Sequence, residues 1–358
     1  MMMLQNFWYP CEFSSEVTNK PKQIILFNQR FVVYRNTQGQ VVMMKDQCPH
    51  RGAALSLGWV EDGCIRCPYH GWKFLSDGKC IDIPANAPRT PIPQRAKVQT
   101  YPVQEKYGYV WMFYGDLPEA ERPSLPTIPE SIFSSMHPVS HAHLDAANYM
   151  RVMETNLDFA HVIAVHRTSF GQRIPLNSTV KYKVEEQDSS AVAQFTFDSL
   201  SSSKSFLNVL LGGRPQVTLR LSFYLPNFTL VEINVGGDSR LNIKFAVLAS
   251  YCPIDEKTTL VKRTLYRNVL PFSWVDKLFV KLDRALAHED TVVIESLDPQ
   301  PLPDMSKEIH VAADALGVSL RKLQQKHLAK NLNLKPNQSE SNNSNGYGLE
   351  SVPTSLLP

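Results

Sequence analysis

Apolar and polar positions alternate in short bursts through the first third of the chain. Residues 23–27, 30–34 and 41–45 are rich in β-branched and aromatic side chains, and Asn28-Gln29 and the stretch 36–39 separate them. Residues 64–67, 72–75 and 109–114 repeat the pattern, interrupted by Ser76-Asp77-Gly78 and by 106–108. Runs this short, bounded by turn residues, predict the strands of a small all-β domain over residues 1–115. Pro118, Pro123, Pro126, Pro129 and Pro138 then mark residues 116–140 as a surface connector and domain boundary. A helix predicted over 146–165 opens the second domain, 141–333. Alternating segments at 179–185, 192–197, 217–223, 229–235, 244–251 and 258–266 predict an antiparallel sheet with one buried face. Helical spacing returns in a long amphipathic stretch over 273–296 and another over 306–325. The Asn-, Ser-, Pro- and Gly-rich tail, 334–358, predicts disorder. The fold class that follows is α+β.

Composition narrows the functions. With 358 residues, 43% hydrophobic and 20% charged, the chain suits two globular domains. A net charge of +3, without a dense Lys/Arg cluster, gives no footprint for nucleic acid. No apolar run approaches the roughly 18 residues of a transmembrane segment, and residues 1–13 lack the pattern of a secretory signal. Six cysteines in a chain of this size argue against a disulfide framework and for a reducing, cytoplasmic setting with some thiols used as ligands. Peripheral attachment to a membrane stays open.

Two short segments carry chemistry. Cys48-Pro49-His50-Arg51-Gly52 and Cys67-Pro68-Tyr69-His70-Gly71-Trp72 each supply one cysteine and one histidine, and 16 residues separate His50 from Cys67. A zinc finger pairs its cysteines in one half and its histidines in the other. Alternation within each half suits two loops that clamp a binuclear cluster, with both thiolates on one iron and both imidazoles on the other. Neutral imidazoles lower the cluster's negative charge and raise its potential. On these residues, prolines and glycines included, the sequence resembles the Rieske family. Respiratory-chain members add a cysteine to each loop. Here those places hold Ala53 and Pro68, so the domain is similar to the ferredoxin and oxygenase types.

Downstream, Glu154, Asp158 and His161 fall at i, i+4 and i+7 of the predicted helix, and His166 follows. His161 also shares a row with Met153, Leu157 and Ala164. A lone histidine on such a face is more often a hydrogen-bonded core residue than a ligand. Far along the chain, Asp290 falls in the row of Phe279, Leu282, Leu286, Val293 and Leu297, which helical spacing predicts as buried. A buried carboxylate calls for a cation. Glu289 and Glu295 read as solvated charges. Two histidines and one carboxylate compose the facial triad of non-haem iron(II) oxygenases.

Glu154-x3-Asp158-x2-His161-x4-His166 and the segment around Glu289-Asp290 resemble the catalytic motifs of Rieske oxygenases, and the resemblance spans roughly residues 8–297. It implies an N-terminal Rieske domain holding a [2Fe–2S] cluster through Cys48, His50, Cys67 and His70. It implies a START-like, helix-grip catalytic domain holding a mononuclear Fe(II) through His161, His166 and Asp290, with Glu154 as a carboxylate behind those ligands. It implies a head-to-tail homotrimer in which Asp158 bridges His70 of one chain to His161 of the next. O2 would be co-substrate, with electrons from both centres. No dinucleotide fingerprint and no plant-type ferredoxin cysteine run is present, and Leu211-Gly212-Gly213-Arg214 reads as a turn, so no flavin or NAD site is expected. A separate reductase or ferredoxin is implied.

Within the family, Asn6-Phe7-Trp8-Tyr9-Pro10 and residues 47–57 are similar to pheophorbide a oxygenase-like and chlorophyllide a oxygenase-like proteins and cyanobacterial monooxygenases. The expected reaction is hydroxylation or oxidative demethylation of a hydrophobic or aromatic small molecule, tetrapyrroles among the candidates. Ring dihydroxylation, a Rieske electron carrier and a START-like binding protein without oxygenase activity remain as alternatives.

Overall fold

The computed structural model describes residues 3–169, 183–198, 216–236, 242–298 and 302–331. The expected tail from 334, the turn at 211–214 and the start of the segment 179–185 lie outside the described residues.

The first domain contains eleven short strands: β1 (Phe7–Phe13), β2 (Lys22–Leu26), β3 (Gln29–Arg35), β4 (Val41–Lys45), β5 (Trp59–Glu61), β6 (Cys64–Arg66), β7 (Lys73–Phe74), β8 (Cys80–Asp82), β9 (Thr100–Tyr101), β10 (Val103–Lys106) and β11 (Tyr109–Tyr114). They form three antiparallel sheets, in the orders β1-β11-β10, β2-β3-β4-β9 and β5-β6-β7-β8. Val32, Tyr34, Val42, Met44, Ile65 and Phe74 close a core under the β5–β8 sheet, and Cys48 and Cys67 lie within it.

The proline-rich stretch is more structured than its composition predicts. It holds α1 (Glu130–Ser135) and the start of β12 (His137–Asp145). The second domain continues with α2 (Tyr149–Leu157), α3 (Ala160–Val165), β13 (Val184–Glu186), β14 (Ser190–Asp198), β15 (Gln216–Tyr224), β16 (Phe228–Gly236), β17 (Ile243–Pro253), β18 (Thr259–Arg267), α4 (Asp276–Glu295) and α5 (Ala315–Asn331). Its seven strands make one antiparallel sheet in the order β12-β18-β17-β16-β15-β14-β13. In β15, buried Val217, Leu219 and Leu221 alternate with the more exposed Thr218 and Arg220, the signature of a sheet with one covered face. Helices α2 and α5 pack on this sheet, while α4 runs beside the edge strand β12.

Two sequence expectations are corrected here. The helix predicted over 146–165 is two helices, because Asp158 is extended (ψ 133°) and its carboxylate accepts hydrogen bonds from Ala160 N (2.7 Å) and His161 N (3.0 Å). A short acidic side chain in that position competes with helix continuation and starts a new helix instead. The inward face of α4 is not the predicted apolar row. Leu282, Val293 and Leu297 are exposed, whereas Asp283, Ala287 and Ile294 are buried.

Strand β1 ties the domains together. Pro10 O accepts from Asn227 Nδ2 (3.3 Å) and Ser250 Oγ (2.5 Å) of the large sheet. The buried Glu12 carboxylate pairs with Lys262 (2.5 Å) and Lys22 (2.9 Å), and Tyr109 donates to Leu248 O (3.0 Å).

Candidate metal centres

The two Cys/His loops are built alike. In the first, Cys48 N donates to Ala53 O and Gly52 N to Cys48 O; in the second, Cys67 N donates to Trp72 O and Gly71 N to Cys67 O, all between 2.8 and 3.0 Å. Each loop closes at a glycine with positive φ, +77° at Gly52 and +71° at Gly71, a conformation other residues adopt only with strain. The buried Asp46 carboxylate braces the first loop by accepting from Ser56 N and Ser56 Oγ, both at 2.7 Å. Arg66 braces the second by donating to Gly71 O (2.7 Å).

The result separates the donors by type. Cys48 and Cys67 are buried and touch each other, while His50 and His70 are exposed with ring centroids 4.7 Å apart. Trp72 stacks on His50 at 4.6 Å and 5°, fixing the imidazole plane. Burial, with Cys67 beside it, pushes the Cys48 thiol up to about 12, against the pull of the His50 and Arg51 amides on its sulfur. Desolvation, then His70 and Arg51, hold His50 below the usual histidine value. Two adjacent buried thiols beside two exposed imidazoles compose a donor set that fits a binuclear iron–sulfur cluster.

The second centre follows from the register of α4 against β12. Seven helical residues advance about 10.5 Å, close to the roughly 13 Å of four strand residues. Asp276, Asp283 and Asp290 therefore face the sheet at successive levels. At the first level Asp276 meets Arg267 (2.5 Å) and His137 (3.0 Å). At the second, Arg263 donates to both Asp283 oxygens (2.9 and 3.0 Å), and His141 Nε2 lies 2.6 Å away. At the third level the strand ends, with Thr291 Oγ1 donating to Asp145 (2.7 Å). Among the described residues Asp290 pairs with no arginine there, and it faces His161 of α3 and His166 just after that helix instead.

Asp290 Oδ1 lies 3.4 Å from His161 Nε2 and 3.2 Å from His166 Nε2, and one ligand atom from each of the three residues falls within 4.8 Å of the others. That Oδ1 is buried without a well-formed hydrogen bond from any described residue. Burial opposes charge on all three groups, and their mutual attraction outweighs it. His161, between Asp158 and Asp290, is raised to about 9, His166 is raised, and Asp290 is lowered. An orphaned carboxylate oxygen facing two imidazole Nε2 atoms is the donor set of a three-ligand divalent-metal site.

Glu289, read from sequence as a solvated charge, is a missed participant. Its Oε2 lies 2.6 Å from His166 Nδ1 and accepts from Ser169 Oγ (2.8 Å), while His166 Nε2 lies on the Asp290 side of the ring. Its position next to Asp290 was the available signal. The Glu154 carboxylate is taken up by Arg321 of α5, which also binds Glu308 (2.5 Å). The Asp158 carboxylate sits 3.6 Å from His161 Nδ1 with its outer side partly open to solvent. Arg263 completes a brace by donating to Asn156 Oδ1 (3.0 Å), joining α4 to the helix that precedes the two histidines.

Among the described residues no helix is long and apolar enough to cross a membrane. Residues 7–102 match the Rieske [2Fe-2S] domain, and residues 146–330 match the vanillate O-demethylase oxygenase C-terminal domain. Chlorophyllide a oxygenase of Chlamydomonas reinhardtii is 36% identical over 189 residues, 50% of this chain and 27% of that protein. Methylxanthine N1-demethylase NdmA of Pseudomonas putida is 28% identical over 333 residues, 89% of this chain and 88% of the relative. The matches to several other curated relatives cover less than half of their length. The crystal structure of dicamba monooxygenase bound to 3,6-dichlorosalicylic acid superposes with a TM-score of 0.77 at 22% identity, covering 92% of this chain and 99% of that one. With its catalytic half matched along its length and a Rieske domain before it, the chain belongs to the Rieske non-haem iron oxygenases.

Proposed function

We propose that the chain is the terminal oxygenase of a multicomponent system, using O2 and electrons from a separate reductase or ferredoxin to hydroxylate or oxidatively demethylate a hydrophobic or aromatic small molecule. The observation that carries this reading is the buried, orphaned Asp290 Oδ1 facing His161 and His166, on a chain that also holds the paired Cys/His loops. Names of relatives such as chlorophyllide a oxygenase and methylxanthine N1-demethylase support the substrate class.

In this reading Cys48 and Cys67 hold one iron of the [2Fe–2S] cluster, His50 and His70 hold the other, and His161, His166 and Asp290 hold the mononuclear iron. Together the metals supply single-electron transfer and dioxygen activation. The protein's own part is positioning. Glu289 keeps the His166 proton on Nδ1 and its Nε2 toward the centre. Asp158 caps α3 and so sets the direction of His161. The Cys48–Cys67 side is dry, while His50 and His70 stand at the surface, with exposed Tyr69 against His70 and exposed Trp59 and Leu57 elsewhere in the same domain. The exposed histidine side supports a head-to-tail trimer in which it meets the Asp158 surface of the next copy, so that Asp158 bridges His70 to the neighbouring His161. Six free cysteines suit a reducing cytoplasm.

The test is an iron and acid-labile sulfide count on anaerobically purified protein, with EPR of the dithionite-reduced sample. Three irons and two sulfides per chain with a Rieske signal are expected, followed by substrate-dependent O2 uptake once a reductase is supplied. Two irons and two sulfides that stay at two after ferrous reconstitution would refute the mononuclear site and leave an electron carrier or binding protein.

A further inference from the structure

The outward half of α4 and the turn before it do not resemble a solvated helix surface. Phe272 and Trp274 stack with ring centroids 6.1 Å apart at 14°, and Trp274 is 79% exposed. Leu278 and Leu282 continue the stripe at helical i+4 spacing, each more than half exposed. Lys277, Lys281 and Arg284 run beside it on the next row, all exposed. The acidic residues of this segment turn the other way, Asp276 onto Arg267 and Asp283 onto Arg263. Every exposed charge between residues 270 and 285 is therefore positive, with Arg284 also donating to Ala142 O (3.4 Å).

We propose that this face is a docking surface for an anionic lipid bilayer, with Phe272, Trp274, Leu278 and Leu282 entering the interface and Lys277, Lys281 and Arg284 meeting the headgroups. An apolar stripe rich in aromatic and leucine side chains, flanked by a basic row, is the pattern of a helix lying in the membrane plane. Charge complementarity selects the occupant, because the row offers cations and presents no exposed carboxylate. An acidic electron-donor protein fits less well. It must deliver electrons to the [2Fe–2S] loops of the first domain, whereas this face belongs to the second. The inference is independent of the proposed reaction.

The test uses the full-length holoprotein and sucrose-loaded vesicles of phosphatidylcholine alone or with about a third phosphatidylglycerol. Cosedimentation is expected with the anionic vesicles and little with the neutral ones. Each basic residue near such a surface contributes roughly fivefold in affinity, so Lys277→Glu with Lys281→Glu is expected to weaken binding at least tenfold. Trp274→Ser with Leu278→Ser should weaken it comparably. All four side chains are surface groups, and an unchanged near-ultraviolet unfolding midpoint of the catalytic domain would verify folding. No cosedimentation of the unaltered protein, equal binding to neutral vesicles, or full binding by both folded variants would overturn the proposal. So would a charge-reversal variant that keeps its lipid binding and loses affinity for an acidic ferredoxin, which would assign the face to a protein partner.

Discussion

Glu289→Gln separates the charge of the carboxylate behind His166 from its shape. The native contact is a 2.6 Å bond between His166 Nδ1 and Glu289 Oε2, reinforced by Ser169 at 2.8 Å and Thr168 at 3.3 Å. A hydrogen bond to a charged group contributes about 1.5–3 kcal/mol and a neutral one about 0.5–1.5 kcal/mol. The glutamine keeps an acceptor, so the expected loss is about 1.4 kcal/mol, equivalent to tenfold. That is the lower end of the roughly 10–100-fold range for groups that orient metal-binding histidines. The lower end is appropriate because part of the Glu289 side chain reaches solvent, which screens its charge. The assay is chelator-competed Fe(II) titration of protein stripped of mononuclear iron only, with the Rieske signal as internal control and unfolding of the metal-depleted protein as a second one. A tenfold weaker site with an intact Rieske signal and unchanged unfolding is expected. Affinity within twofold of the parent would refute the positioning role. A parallel loss of the Rieske signal would show that the substitution disturbs the whole chain.

Two further predictions concern the same region. Asp283→Leu leaves Arg263 buried without its carboxylate, and removing one partner of a buried pair costs about 3–5 kcal/mol. The near-ultraviolet unfolding midpoint of the catalytic domain should fall while the Rieske visible signal unfolds as before, and an unchanged midpoint would contradict the brace. His161 is raised to about 9 without metal, so its ion pairs stabilise that form fully below the usual histidine value and progressively less as pH rises through about 9. Metal uptake at pH 7.5 must then displace at least one proton, and affinity should climb with pH toward 9; pH-independent binding with no proton release in weak buffer would refute this.

Much of this protein is written locally. Each Cys/His loop closes on hydrogen bonds spanning four or five residues, so its residue order alone specifies a clamp. Strand alternation in β14 to β18 and the length of α4 are equally local, because periodicity and turn residues act over a few positions. The break between α2 and α3 is also local, although helical spacing masked it: a single Asp158 side chain satisfies the first amides of α3.

What the sequence left open depends on partners far along the chain. Periodicity defines two faces of α4 and does not say which is covered. Arg267, Arg263, His161 and His166 decide it, drawing Asp276, Asp283 and Asp290 inward and turning Leu278 and Leu282 outward. Glu154 finds Arg321 across 167 residues, and Glu289 finds His166 across 123. Residue order alone determined which groups can bind iron and sulfur. Tertiary structure decided which carboxylate is left buried without a donor, because the register of β18 against β12 sets Arg267 and Arg263 at the levels of Asp276 and Asp283 and Thr259 at the level of Asp290.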